Sequence, residues 1–255
     1  MSLHIVIPAR LASTRLSEKL LRRAGGKSIL QHTYEAASQT QTADGVVVAV
    51  DDDKLADEVD SFGGNWIMTG DCASGTDRIA EVADAMPDVE VFVNVQGDEP
   101  EIDPAAIDRV ARALLDCQAA DMSTVGTPIR DHELLNDPSN VKIVLAGNPQ
   151  TGQGRAVYFS RSVVPHVRGG VTDEALTADP PIFWHHLGLY AYRRDFLQWF
   201  AAQSPSPLEQ HERLELLRAI EAGKHIAVAQ VDHGAPGIDT QADLDAFIQR
   251  LTPGQ

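Results

Sequence analysis

Residues 3–19 read LHIVIPARLASTRLSEK, and the rest of the chain is organised around this stretch. Its first half, residues 3–7, is a β-branched apolar run that predicts a buried strand. Because Pro8 cannot donate to a sheet ladder, the strand is expected to stop there. The second half holds three cations, Arg10, Arg15 and Lys19, and the adjacent hydroxyl groups of Ser13 and Thr14 lie between them. Ligands of open α/β sheets bind at the carboxyl ends of strands, so this cluster predicts a phosphate or carboxylate site.

The composition of the whole chain makes this basic cluster stand out. The 255 residues include 21 lysines and arginines against 37 aspartates and glutamates, a formal net charge of −16. Nucleic acid and anionic membranes would be repelled by such a surface, so neither is expected as a partner. We expect neither a signal peptide nor a membrane-spanning segment, because the sequence has no apolar run of sufficient length. Cys72 and Cys117 lack the spacing of a metal or disulfide motif, and we expect a cytoplasmic protein with reduced thiols.

Strand-like and helix-like segments alternate through the first half of the chain. Strands are predicted at residues 46–50, 65–68 and 89–95, and helices at residues 27–40, 55–62, 76–85 and 104–117. Asp51, Asp52 and Asp53 follow a strand and are expected to stabilise the amino end of the next helix. The alternation predicts an α/β fold of Rossmann-like type, with a mainly parallel central sheet and helices on both faces.

The pattern changes at about residue 121. Strand-like segments at residues 122–129, 141–145, 156–159 and 187–192 follow one another with little helix between them. They predict an antiparallel extension of the sheet. Helices at residues 208–222 and 242–251 enclose a last strand at residues 226–231. We expect one domain over residues 1–255, with an α/β part at about 1–120 and 205–255 and an antiparallel part at about 121–204.

Several common motifs are absent. Residues 25–28 resemble the end of a P-loop, but position 21 is a leucine where that motif needs its first glycine. No Gly-x-Gly-x-x-Gly follows the first strand, and the segment around Ser74 lacks the leading glycine of a nucleophile elbow, which argues against a dehydrogenase and a serine hydrolase. His185 and His186 are adjacent on a predicted strand and point to opposite faces, so they cannot share one zinc ion.

Two acidic segments at strand ends predict a metal site. Gln96, Gly97 and Asp98 follow the strand at residues 89–95, and the glycine lets the backbone come close to a ligand. Asp239 follows the last strand. Magnesium prefers carboxylate oxygens of this kind. Two such carboxylates facing a cluster of cations predict a site for Mg²⁺ that carries a polyphosphate.

Seven segments also carry a resemblance to a known family. They are PAR at residues 8–10 with STRL at 13–16 and Lys19, SGTDR at 74–78, NVQGDEP at 94–100, YFSR at 158–161, HLG at 186–188, SPLE at 206–209 and GIDT at 237–240. In this order they resemble the 3-deoxy-manno-octulosonate cytidylyltransferases, or CMP-Kdo synthetases. The resemblance implies the fold of nucleotide-diphospho-sugar transferases, a homodimer, and a Mg²⁺-dependent reaction of CTP with 3-deoxy-D-manno-octulosonate (Kdo). The products are CMP-Kdo, used in lipopolysaccharide synthesis, and pyrophosphate.

The resemblance further implies a role for each matching residue. Catalytic roles fall on Arg10, Lys19 and Asp98, and the Mg²⁺ ligands are Asp98 and Asp239. The CTP site comprises Ala9, Arg10, Ser13, Arg15, Lys19, Ser74, Gly75 and Arg78. The sugar-acid site comprises Gln96, Tyr158, Arg161, His186, Tyr190 and Glu209, and the antiparallel part carries the dimer contact.

Two departures from the family pattern leave alternatives open. The family usually has Leu-Pro-Gly-Lys where residues 16–19 read LSEK, so that Glu18 adds a negative charge beside the expected triphosphate site. Leu216 replaces a polar residue that is usual in a late helix. One alternative is a cytidylyltransferase for a related acidic sugar, such as 8-amino-Kdo or a sialic-type acid. Another is a nucleotide-sugar-binding homologue that has lost catalysis.

Overall fold

The computed structural model describes residues 2–72, 74–151 and 154–251. Its strands are β1 Leu3–Ala9, β2 Arg23–Ala24, β3 Lys27–Ser28, β4 Gly45–Val50, β5 Trp66–Met68, β6 Val91–Asn94, β7 Met122–Pro128, β8 Lys142–Ala146, β9 Gly154–Ser160, β10 Trp184–Arg193 and β11 Ile226–Gln230. Its α-helices are α1 Ile29–Ala37, α2 Asp53–Ser61, α3 Gly75–Ala85, α4 Pro104–Leu115, α5 His132–Asn136, α6 Asp173–Thr177, α7 Arg194–Ala201, α8 Pro207–Glu212, α9 Leu216–Glu221 and α10 Gln241–Leu251.

The chain forms two compact units. The first comprises Met1–Asp108, Arg193–Ala201 and Ala235–Gln255, and the second comprises Arg109–Tyr192 and Ala202–Gly234. Among the described residues, no helix combines the length and the apolar character that a membrane crossing requires.

A parallel sheet forms the centre of the first unit. Its strand order is β5-β4-β1-β6, and each neighbouring pair is parallel. Ile5, Ile7 and Val48 are fully buried in this sheet, as the apolar runs of β1 and β4 predict. The mainly parallel α/β class predicted from the sequence is therefore confirmed.

Strand β1 is longer than predicted, because Pro8 does not end it. The strand continues to Ala9, and Pro8 lies opposite Ala49 of β4. The register between β1 and β6 runs only as far as Val6 and Asn94. Pro8 therefore has a paired strand, β4, on one side only. On the other side no strand is paired at this position, so the missing N–H of proline interrupts no ladder there.

The first helix was predicted to begin at residue 27, but residues 27–28 belong to a short hairpin. Gly25 and Gly26 have φ values of 58° and 87°, which only glycine adopts readily, and they connect β2 to β3. Helix α1 then begins at Ile29. The side chain of Ser28 accepts a hydrogen bond from Gln31 N at 3.0 Å and caps it.

The second unit contains the predicted antiparallel strands. β10 pairs antiparallel with β7 and with β8, β8 with β9, and β9 with β11. One pair differs, because β11 runs parallel to β7. The antiparallel extension is confirmed in these strands.

The predicted helix at residues 208–222 is two helices, α8 and α9. Arg213 has a left-handed backbone with φ of 57°, which ends α8. Leu216, where the family usually has a polar residue, begins α9 and is buried. Helix α7 was not predicted, although Phe196, Leu197 and Phe200 form its buried face at helical spacing.

Candidate active site

A cleft in the first unit lies beyond the carboxyl ends of β1 and β6. It is bordered by the loop after β1, by the start of α3, by the turn after β6 and by the segment before α10. Every predicted site residue of the first unit lines it: Ala9, Arg10, Ser13, Arg15, Lys19, Ser74, Gly75, Arg78, Gln96, Asp98 and Asp239. The fold therefore gathers residues that are far apart in sequence at one edge of a parallel sheet.

Lys19 connects the two predicted metal ligands. Its Nζ lies 2.5 Å from Asp98 Oδ2 and 2.9 Å from Asp239 Oδ1. Arg15 Nη2 lies 2.9 Å from the other oxygen of Asp239. Burial alone would lower the pKa of Lys19, but the hydrogen bonds and charges of Asp98 and Asp239 outweigh it and raise that pKa above its usual value. The cleft thus holds two carboxylates that share one cation.

Backbone contacts fix the positions of both carboxylates. Ile238 N donates to the carbonyl oxygen of Asp98 at 2.9 Å, which ties the two acidic segments together. Asp243 Oδ2 accepts from the backbone N–H of Asp239 at 3.1 Å. A Cβ on Gly97 would lie 3.1 Å from the carbonyl oxygen of Pro8, so the close approach of these two segments favours glycine.

Glu18 is held by a partner on α2. Its backbone is left-handed, with φ of 48° and ψ of 42°, at the position where the family usually has glycine. Its carboxylate accepts a hydrogen bond from Lys54 Nζ at 2.6 Å. The negative charge that the sequence places beside the expected triphosphate site is therefore paired with a cation.

The contacts of Asp51 were not predicted from the sequence. The residue that caps α2 is Asp52, which accepts from Lys54 N at 2.9 Å. Asp51 instead accepts from Leu11 N at 2.9 Å and forms an ion pair with Arg78 at 3.2 Å. One signal in the sequence could have indicated this: Asp51 is the first residue after β4, at the strand end where ligands of α/β sheets bind.

Arg161 in the second unit is bound to backbone carbonyl groups. Its Nε donates to Glu212 O at 2.8 Å and its Nη1 to Pro138 O at 3.1 Å. Its backbone N–H donates to the Glu212 carboxylate at 2.9 Å. These contacts hold the segment after β9, and the predicted bond between Arg161 and a sugar carboxylate stays a prediction.

Glu209 takes part in a buried ion pair. Its oxygens accept from Arg218 Nε at 2.8 Å and from Arg218 Nη2 at 2.5 Å, and both side chains are about nine-tenths buried. Glu209 also completes a capping box with Ser206 at the start of α8. Burial alone would raise the pKa of Glu209, but the bonds from Arg218 and Ser206 outweigh it and lower that pKa. Its predicted contact with the sugar stays a prediction.

We expect Glu209→Gln to lower the free energy of unfolding by about 3 kcal/mol, because it removes a carboxylate charge that two nitrogens of the buried Arg218 guanidinium contact. Urea denaturation measures this loss. The matched control is Glu221→Gln on α9. Glu221 is exposed, and its carboxylate accepts a hydrogen bond from Leu208 N, which the amide oxygen of glutamine can replace. Equal stability of the two variants would refute the structural role of the buried pair.

His186 lies in a buried aromatic cluster. Its ring is 5.1 Å from Phe159 and 5.5 Å from Tyr190, and its Nε2 is 3.1 Å from Thr124 Oγ1. Burial, with a smaller contribution from the neighbouring His185, lowers the pKa of His186 to about 3. His186 is therefore neutral at physiological pH. Tyr158, on β9, is half-buried, and the predicted sugar contacts of these residues stay predictions.

The lowered pKa of His186 predicts a loss of stability in acid. Between the ordinary histidine pKa of 6.5 and about 3, the unfolded chain binds a proton that the folded chain does not. Stability from this group is full above pH 6.5 and falls by up to about 1.4 kcal/mol per pH unit below it. From pH 7 to pH 4.5, the wild type should therefore lose about 2 kcal/mol more than His186→Gln in urea denaturation. Parallel losses in the two proteins would contradict this account.

Comparisons with known proteins agree over nearly the whole chain. A family model described as cytidylyltransferase matches residues 4–226. The 3-deoxy-manno-octulosonate cytidylyltransferase of Rhodopirellula baltica is 59% identical over 248 residues, 97% of each chain. That of Syntrophotalea carbinolica is 45% identical over 246 residues, 96% of each chain.

Solved structures show the same likeness. The structure of CMP:2-keto-3-deoxy-manno-octonic acid synthetase complexed with CTP has a TM-score of 0.88 and 38% identity, and it covers 98% of both chains. A cytidylyltransferase from Leptospira borgpetersenii has a TM-score of 0.62 at 16% identity, covers 100% of this chain and 89% of its own, and shares the fold.

Proposed function

The chain belongs to the cytidylyltransferase family, among the 3-deoxy-manno-octulosonate members, and from this premise we propose that it couples CTP to Kdo. The products are CMP-Kdo, a precursor for lipopolysaccharide, and pyrophosphate. The observation that carries the proposal is the cluster of Lys19, Asp98 and Asp239 in a cleft that Arg10 and Arg15 also line. Cations and carboxylates in this arrangement suit a nucleoside triphosphate with its metal ion.

The reaction needs positioning and charge stabilisation more than a covalent nucleophile. The 2-hydroxyl oxygen of Kdo forms a bond to the α-phosphorus, the bond from that phosphorus to the bridging oxygen breaks, and the hydroxyl proton passes to solvent. Negative charge grows on the departing pyrophosphate. Arg10, Arg15 and Lys19 line the cleft and can donate hydrogen bonds to those oxygens. Ser13 can bind a phosphate through its hydroxyl group.

Asp98 and Asp239 fit the role of Mg²⁺ ligands. Both carboxylates already contact one cationic nitrogen, that of Lys19, so their oxygens can approach a common cation. Among the described residues, no group of three or more His, Cys, Asp or Glu side chains could hold a metal ion. Two carboxylates completed by substrate phosphates are a usual Mg²⁺ site. When bound, Mg²⁺ would neutralise phosphate charge during transfer.

We also propose a cytoplasmic homodimer. Two cysteines without a disulfide, Cys72 and Cys117, fit a reducing compartment. The family resemblance supports a dimer formed through the antiparallel part. Sedimentation analysis tests it, and the dimer predicts one species of twice the mass of the chain.

A pyrophosphate-release assay with CTP, Mg²⁺ and a panel of sugar acids tests the function. We expect turnover with Kdo to exceed turnover with 8-amino-Kdo and with sialic acid. No CTP consumption with Kdo would refute the proposal. Turnover with another acidic sugar alone would favour a different acceptor, and CTP binding without pyrophosphate release from any acceptor would favour a non-catalytic homologue.

A further inference from the structure

Asp51 does not line the nucleotide cleft, but it contacts two segments that do. It follows β4, and its side chain is about one-quarter exposed. One oxygen accepts from Leu11 N at 2.9 Å, and the other lies 3.2 Å from Arg78 Nη2. Leu11 is the neighbour of Arg10, which lines the cleft, and Arg78 lines it from α3. A single carboxylate thus contacts both the loop after β1 and the helix α3.

Arg78 is fixed by a second group from the same sheet edge. Its Nη1 donates to Thr69 Oγ1, and that hydroxyl donates to Val50 O at 2.9 Å. Arg78 is 6% exposed and Thr69 is 6% exposed, so this network is shielded from water. A charge-assisted hydrogen bond in such surroundings is stronger and more directional than one at the surface.

We propose that Asp51 is a positioning residue for the nucleotide: it holds the backbone beside Arg10 and the guanidinium of Arg78 at a fixed separation. The inference rests on the proposed function, since it takes CTP as the ligand of this cleft. Without the carboxylate, Arg78 would keep its bond to Thr69 but lose its link to the loop after β1, and the nucleotide would have to set their separation on binding. That adjustment reduces affinity, because binding then includes a conformational cost.

The test compares Asp51→Asn with Asp52→Asn. Asparagine at position 51 keeps an oxygen that can accept from Leu11 N but removes the charge that faces Arg78. Asp52 is the matched control: it is the adjacent carboxylate, it caps α2, and asparagine caps helices equally well. By calorimetric titration, we expect Asp51→Asn to raise the Kd for CTP about tenfold, equal to about 1.4 kcal/mol. Asp52→Asn should change it less than twofold.

A double-mutant cycle with Arg78→Gln separates positioning from general damage to the fold. If Asp51 acts through Arg78, the double variant should have a Kd for CTP less than about threefold above that of Arg78→Gln alone. Urea denaturation should still show one cooperative transition, which establishes that the variants are folded, and KM for CTP should rise more than kcat falls. Should Asp51→Asn not fold, Asp51→Glu displaces the carboxylate by one methylene and should raise the Kd in the same way.

Two results would overturn the inference. One is a Kd for Asp51→Asn equal to that of Asp52→Asn, and the other is full additivity of the changes at positions 51 and 78. Both require a wild type that binds CTP. A wild type that does not bind CTP would refute the proposed function itself, so the two failures are distinguishable.

Discussion

Asp98→Ala is expected to lower kcat by about a thousandfold while the protein remains folded. The change removes one of two carboxylates that we assign to Mg²⁺ and a partner of Lys19 at 2.5 Å. Loss of one preorganised charge-stabilising group commonly costs a hundredfold to a thousandfold, roughly, and loss of a metal ligand adds to this. Asp98 is partly exposed, so no core packing is lost with it. Pyrophosphate release measures kcat, and circular dichroism checks the fold.

Glu101→Gln is the control for this experiment. Glu101 lies three residues further along the same segment and pairs with Arg250 at 2.5 Å. Because it does not line the cleft, its neutralisation should change kcat less than twofold. Turnover of Asp98→Ala similar to that of Glu101→Gln would refute the assignment of Asp98 to the metal.

Lys19→Met is expected to lower kcat by about a hundredfold or more and also to destabilise the free protein. The ammonium of Lys19 is mostly buried and is the cation that Asp98 and Asp239 share. Without it, the two carboxylates face each other with less compensation, which should cost about 2 kcal/mol in the absence of metal. Because Mg²⁺ can replace the missing cation, adding it should recover much of the stability but not the activity.

Lys27→Met provides the comparison. The ammonium of Lys27 pairs with Glu35 at the surface and does not line the cleft, so both kcat and the effect of Mg²⁺ on thermal stability should match the wild type. If Mg²⁺ stabilises Lys19→Met no more than Lys27→Met, then Asp98 and Asp239 do not form a common cation site.

The strands and the acidic strand ends could be predicted because both follow from local sequence. An apolar β-branched run predicts β1, and Gln96 to Asp98 lie within four residues of the end of β6, so their place at the sheet edge requires only the α/β pattern. Asp98 and Asp239 could be paired because each follows a predicted strand, and the family resemblance then implied the same pair.

Features that depend on distant neighbours could not be predicted. Pro8 lies within β1 because the pairing with β6 has already ended, a fact that no local pattern contains. Arg161 binds carbonyl groups of residues that come near it only in the folded chain. Asp51 looked like one of three similar helix-stabilising carboxylates, and only the positions of Leu11 and Arg78 distinguish it.

Calorimetric titration of CTP with and without Mg²⁺, in the wild type and in Asp98→Asn and Asp239→Asn, tests the central claim most directly. We predict that Mg²⁺ raises the affinity of the wild type for CTP at least about tenfold, equal to about 1.4 kcal/mol, and that either substitution removes most of this gain. An undiminished effect of Mg²⁺ in both variants would contradict a shared metal and triphosphate site at these two carboxylates.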